Sequence, residues 1–82
     1  MKSEIINLNQ LPLNEKGIIK EIKCTGTIKR RLLDLGLVKG TTIIPVLVSP
    51  SNDPRAFCLR GSTIAIRVED AEHIDVIRSS SF

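Results

Sequence analysis

Arg30-Arg31-Leu32-Leu33-Asp34-Leu35-Gly36-Leu37-Val38-Lys39-Gly40-Thr41 reads as the body of a short helix, a glycine stop and a tight turn into a strand. Ile28, Leu32 and Leu35 fall at i, i+4 and i+7, so the helix is about two turns long with one apolar stripe. Thr25 or Thr27 can supply the N-cap oxygen, and Gly36 can take the left-handed conformation that ends a helix. Lys39-Gly40 has the form of a type II turn centre, which needs positive φ at its second residue. The stretch predicts one helix inserted among strands.

Outward from it the chain is strand-like. Leu8 and Leu11, three apart, fit one helical turn before Pro12, and Asn14-Glu15-Lys16-Gly17 is a turn. Strands are expected at about Ile18 to Lys23 and Thr42 to Val48, with Pro45 forcing an edge or a bulge because it lacks an amide donor. Ser49-Pro50-Ser51-Asn52-Asp53-Pro54 is a loop. Arg55 to Arg60 and Thr63 to Val68 form a hairpin in which Gly61-Ser62 predicts a type II′ turn. In that register Leu59 faces Ile64 and Phe57 faces Ile66. Phe57, Leu59, Ile64, Ile66 and Val68 then make one apolar side, with Ala56, Cys58, Arg60, Thr63, Ala65 and Arg67 on the other. Glu69-Asp70-Ala71-Glu72 reads as a helical turn with its acids first, and Ile74 to Ile77 as a short last strand. The expected buried set is Leu32, Leu35, Phe57, Leu59, Ile64 and Ile66. Five short strands with one inserted helix make a mainly β fold, a small antiparallel barrel. A chain of 82 residues allows one domain over 1–82, its core at about 8–77 and its tail at 79–82 frayed.

Composition narrows the chemistry. Met1-Lys2-Ser3-Glu4 begins no signal peptide, and the longest apolar run, Ile43 to Val48, is broken by Pro45. The expectation is a cytoplasmic protein without membrane insertion. Cys24 and Cys58 are read as free thiols, since neither CxxC spacing nor a Cys/His quartet is present. The net charge of +3 is uneven: residues 1–41 hold eight Lys/Arg and four Asp/Glu (8 − 4 = +4), residues 42–82 four and five (4 − 5 = −1). That split implies one basic face.

The first block pairs with a second, Leu59-Arg60-Gly61-Ser62-Thr63-Ile64-Ala65-Ile66-Arg67 followed by Glu69-Asp70-Ala71-Glu72-His73-Ile74. The combination resembles the FeoA family (ferrous iron transport protein A) over roughly Leu8 to Ile77. The resemblance implies an SH3-like barrel and a cytosolic accessory role that binds the intracellular part of a bacterial ferrous-iron permease. Lys39 stands where the family commonly has proline, and Ser51-Asn52-Asp53-Pro54 where Leu-Gly-Asp-Pro is common. The same domain type occurs as an interaction module fused to iron-dependent repressors, which leaves a metal-binding regulatory module as the alternative reading.

The residues add their own constraints. With no Trp or Tyr and only two Phe, the chain lacks the aromatic platforms that polyproline grooves or single-stranded nucleic acid require. No nucleic-acid partner is expected. Lys29, Arg30 and Arg31 put three cations at the start of the helix, against its dipole. They are either a solvated face, pairing with Asp34 at i+4 and i+3, or a docking face for an acidic partner. Cys58 and Ala65 form a second candidate docking patch, unless the turn around Leu8 and Leu11 covers it. Glu69 and His73, four apart, are weak candidates for a metal such as Fe2+ or another divalent ion, short of a full ligand set. With no nucleophile–base pair, phosphate loop or HExxH, the chain reads as a non-enzyme, a monomer or weak oligomer.

Overall fold

Helix α1 (Gly26–Asp34) forms where the apolar stripe and the glycine stop place it, with Thr25 at its N-cap position. Its end is a Schellman motif. Gly36 N–H donates to Leu33 O at 3.0 Å and Leu37 N–H to Leu32 O at 3.1 Å, with Gly36 at φ 106°. Leu32 and Leu37, the two residues that this motif brings together, are both buried. The Lys39-Gly40 turn follows as expected, with Thr41 N–H donating to Val38 O at 3.1 Å and Gly40 at φ 93°.

The computed structural model describes residues 2–80. Around α1 run strand β1 (Lys2–Asn7), a 3-10 turn (Leu8–Gln10), β2 (Gly17–Ile22), β3 (Thr42–Val48), β4 (Arg55–Leu59), β5 (Ser62–Ile66), helix α2 (Val68–Ala71) and β6 (Ile74–Ser80). All strand pairs are antiparallel in one sheet of order β1-β6-β2-β3-β4-β5. The mainly β architecture agrees with the sequence, but there are six strands among the described residues where five were expected. The extra one is β1, paired with β6 from Lys2↔Ser80 to Asn7↔Asp75. Ser79 and Ser80, expected to fray, are held by that pairing, while Ser81 and Phe82 lie outside the described residues. The register shift between Pro45 and Leu47 is the bulge that the missing proline amide calls for.

The hairpin register differs from the expected one by one residue on each strand. Leu59 pairs with Ser62, Phe57 with Ile64 and Arg55 with Ile66, so the turn is Arg60-Gly61 rather than Gly61-Ser62. Both turn residues have positive φ (52° and 81°), the type I′ pattern that matches strand twist. A slip of one on each strand preserves facing parity, so the two sides of the hairpin keep their expected members.

The core gathers Leu8, Leu11, Ile19, Leu32, Leu37, Ile43, Phe57, Leu59, Ile66, Ile74 and Val76, with Ile64 partly buried against it. Leu35 does not join it: it is 41% exposed, because α1 is anchored through Leu32 and the chain turns away at Gly36. Arg55 does join, at 9% exposure. Its guanidinium donates to the carbonyls of Asn9 (2.9 Å), Leu11 (3.0 Å) and, more weakly, Leu8 (3.5 Å), and its Cζ lies 5.6 Å from the Phe57 ring centroid. Arg55 thereby fastens the 3-10 turn beneath β4. Burial draws its pKa below the ordinary guanidinium value.

Candidate functional site

Of the candidate partner residues, Arg31 and Ala65 meet where α1 runs beside β5. Lys29, Arg30 and Arg31 are all exposed. Among the described residues none forms an ion pair, so the expected Arg30–Asp34 and Arg31–Asp34 bridges are not made. Exposed i,i+4 pairs contribute only about 0.3–0.5 kcal/mol, too little to hold two long side chains in place. Thr25 caps the helix by position without a side-chain hydrogen bond, and no acid occupies the first turn. Contrary to the expectation of three cations against the dipole, only Lys29 falls in the first turn, whereas Arg31 lies in the last turn, where the dipole favours a cation.

A narrow notch separates α1 from β5. Ile28, Arg31, Leu32 and Leu35 line it from the helix, Ala65, Ile66 and Arg67 from β5 and its end, and Asp70 from α2. Arg31 and Ala65 therefore share a surface. Arg30 points elsewhere, lining a hollow with Gly26 and Thr27. Cys58 is half-buried on the Ala65 side of the hairpin, but pairs with Thr63 rather than with Ala65, which opposes Ala56. The turn around Leu8 and Leu11 does not cover this patch. Arg55 holds that turn on the opposite side, the one Phe57 faces. Ile28 (45% exposed) and Leu35 add apolar surface to the notch.

The metal candidates do not converge. Helix α2 ends at Ala71, too early to place Glu69 and His73 on one helical turn. Glu69 pairs with Arg67 at 3.4 Å, and His73 Nε2 lies 3.5 Å from Glu72 Oε1. Both line the wider cleft between α1 and α2 with Arg31, Arg67 and Asp70. Among the described residues no three of His, Cys, Asp and Glu come together. Cys24 is buried, its Sγ 3.6 Å from Asp70 O, and burial, then the Asp70 charge, push its thiol up. A thiol held protonated is a poor ligand. The residues present do not fit a closed transition-metal site.

Sequence reasoning missed Ile28, Leu35, Arg67 and Asp70 as parts of this surface. The helical stripe held both apolar residues, and Leu35 was assigned to the core. The other two were visible only once β5 and α2 were placed beside α1.

The FeoA domain family model matches residues 6–78. An Fe(2+) transport protein A/Fe(2+) transporter FeoB fusion protein of Porphyromonas gingivalis is 30% identical over 76 residues, 93% of this chain. The chain spans only 9% of that relative's length. A FeoA-like protein from Clostridium acetobutylicum, solved by NMR, superimposes with a TM-score of 0.85 at 29% identity, covering 100% of this chain and 94% of that one. A Stenotrophomonas maltophilia FeoA crystallised with zinc, described as a procaryotic SH3 domain protein, gives 0.76 at 27% identity, covering 87% and 88%. Family model, fold and the two sequence blocks agree: the chain belongs to the FeoA family, with its SH3-like fold and its association with ferrous iron transport.

Proposed function

We propose that this chain is a cytoplasmic, non-catalytic accessory of ferrous-iron uptake that docks on the intracellular part of the ferrous-iron permease. The observation that carries this reading is the fused relative, in which a domain similar to this one is continuous with the transporter. Covalent linkage keeps two partners at high effective concentration, and a separate chain needs a surface to do the same. The α1–β5 side offers that surface. There Arg31 faces Ala65 across the notch, with Lys29 and Arg30 adding positive charge from the rest of α1 to steer an acidic partner, while Ala65 and Cys58 leave room for its close approach.

The test is binding of the full chain to the permease's soluble nucleotide-binding domain, followed by calorimetry at low and high salt. Binding should weaken with salt, and further on combining Arg30→Glu with Arg31→Glu. Salt-independent binding, unchanged in the double variant, would reject the basic face.

The zinc in the Stenotrophomonas maltophilia structure favours a second reading, a regulatory module that binds a divalent metal such as Fe2+. Titration with Fe2+ or Zn2+ separates the two. A stoichiometric complex in the micromolar range or tighter, lost on replacing His73 or Glu69, would support metal binding; weak binding indifferent to both would not.

A further inference from the structure

Strand β5 is an edge of the sheet, with β4 as its strand neighbour. Leu59 and Ser62 flank a two-residue turn and therefore form a hydrogen-bonded pair, as do Phe57↔Ile64 and Arg55↔Ile66 by alternation. The amides and carbonyls of Thr63 and Ala65 consequently point away from β4. Both residues are exposed, and among the described residues no other backbone group bonds to them from outside the sheet. At the end of the edge the supply stops: Arg67 O already accepts from Asp70 N–H at 3.0 Å and Ala71 N–H at 2.9 Å.

Proteins blunt exposed strand edges with charge, proline or bulges. Ser62-Thr63-Ile64-Ala65-Ile66 has no charge and no proline, and its pairing with β4 runs without a register shift. The opposite edge, β1, carries Lys2 and Glu4. Cations surround the bare edge: Arg60 before it, Arg67 after it and Arg31 across the notch. The nearby acids are Asp70, Glu72, Glu69 (already paired with Arg67) and Asp53, whose Oδ1 accepts from Val68 N–H at 3.0 Å. Across the same notch Ile28 and Leu35 lie exposed.

We propose that the β5 edge is a strand-addition site, where an extended, net-acidic segment of the partner pairs with the backbone of Thr63 and Ala65. Main-chain bonds would supply affinity. The acids would meet Arg31, Arg60 and Arg67, and apolar side chains of the segment would cover Ile28 and Leu35. A second copy of this chain suits the edge poorly. Antiparallel self-pairing about Ile64 would set Arg67 of each copy opposite Gly61 of the other, one residue from its Arg60, so that like charges become neighbours at both ends of the joined edge. The proposal rests on the docking reading above.

Ala65→Pro is the direct test, because the amide it deletes faces outward and the β4 ladder does not use it. The full-length variant and parent are titrated with the permease's soluble nucleotide-binding domain, and amide hydrogen exchange of the parent is followed free and bound. The expected results are binding weakened about tenfold or more, and slowed exchange at Thr63 and Ala65 on complex formation. If the parent binds while Ala65→Pro binds equally well, strand addition is wrong and the docking reading stands. If the parent does not bind, both fall. Should Ala65→Pro not fold, exchange in the parent decides: unchanged Thr63 and Ala65 amides in the complex overturn the proposal.

Discussion

The side of the molecule beneath β4 and the side where α1 meets β5 are built from similar residues and treated oppositely. Beneath β4, Leu8, Leu11, Phe57 and Val76 are fully buried, and even a cation, Arg55, is enclosed with its donors on backbone carbonyls. Beside β5, leucine and isoleucine stand half in water, and three consecutive exposed cations on α1 have no ion-pair partner among the described residues. A strand edge there has no protection, and Arg60 adopts the left-handed conformation usually left to Gly or Asn. None of these features stabilises the fold, and all four lie on or beside α1 and β5. One side carries the stability of the fold; the other is the surface on which the proposed docking rests.

The largest effects should fall on the enclosed side. Phe57→Ala removes a fully buried ring and should cost about 3–5 kcal/mol in urea unfolding. Arg55→Ala takes the guanidinium donors from the Asn9 and Leu11 carbonyls, while Leu8 O keeps Leu11 N–H, and should cost about 2–4 kcal/mol. Unfolding midpoints near the parent's for both variants would dissolve the distinction between the two sides.

A matched pair on one helix sharpens it. Leu32→Ala should cost about 2–4 kcal/mol, whereas Leu35→Ala should cost under about 1 kcal/mol, although residue type and helix are the same. Equal losses would mean that Leu35 is packed after all and that the notch is not open.

That pair also marks where the sequence stopped being legible. Helical periodicity says which residues share a stripe, but not how wide a strip the rest of the fold covers. Here cover extends to Leu32 and Leu37 and leaves out Ile28 and Leu35. Strand β1 was missed for a related reason. As an edge strand with Ile5 and Ile6 adjacent, Lys2-Ser3-Glu4-Ile5-Ile6-Asn7 shows no alternation. The hairpin, by contrast, was read with the right faces and the wrong turn. Alternation is robust to a slip of one on each strand, whereas turn choice hung on a non-glycine residue accepting positive φ. Arg55 did leave a signal, since it shares parity with Phe57 and Leu59, but its charge argued against reading it as core. Of the candidate site, the basic triplet and Ala65 were legible because both are local sequence features. The meeting of Arg31 with Ala65 across the notch depended on tertiary placement that no local pattern encodes.

Charge reversal on the open side should leave the fold nearly unchanged. Arg30 is mid-helix and Arg31 lies in the last turn of α1, so combining Arg30→Glu with Arg31→Glu should lower stability by no more than about 1 kcal/mol. The same double variant should bind the permease domain more weakly. A loss of binding with a near-parent unfolding midpoint is a combination that general damage to the fold cannot produce.

The smallest effect expected is at Arg60. Its φ of 52° places a long side chain at the first central position of a type I′ turn, where Asn is far better suited. Arg60→Asn keeps the turn, retains a polar surface group and should stabilise the hairpin by about 0.5–1 kcal/mol. If Arg60 helps receive an acidic segment at the β5 edge, the same variant should lose affinity and part of its salt dependence while becoming harder to unfold. Stabilisation with unchanged binding would exclude Arg60 from the partner surface and confine the cationic contribution to Arg31 and Arg67. An unchanged or lower stability would show that this turn accommodates arginine without strain, and would remove one of the four features that set the open side apart.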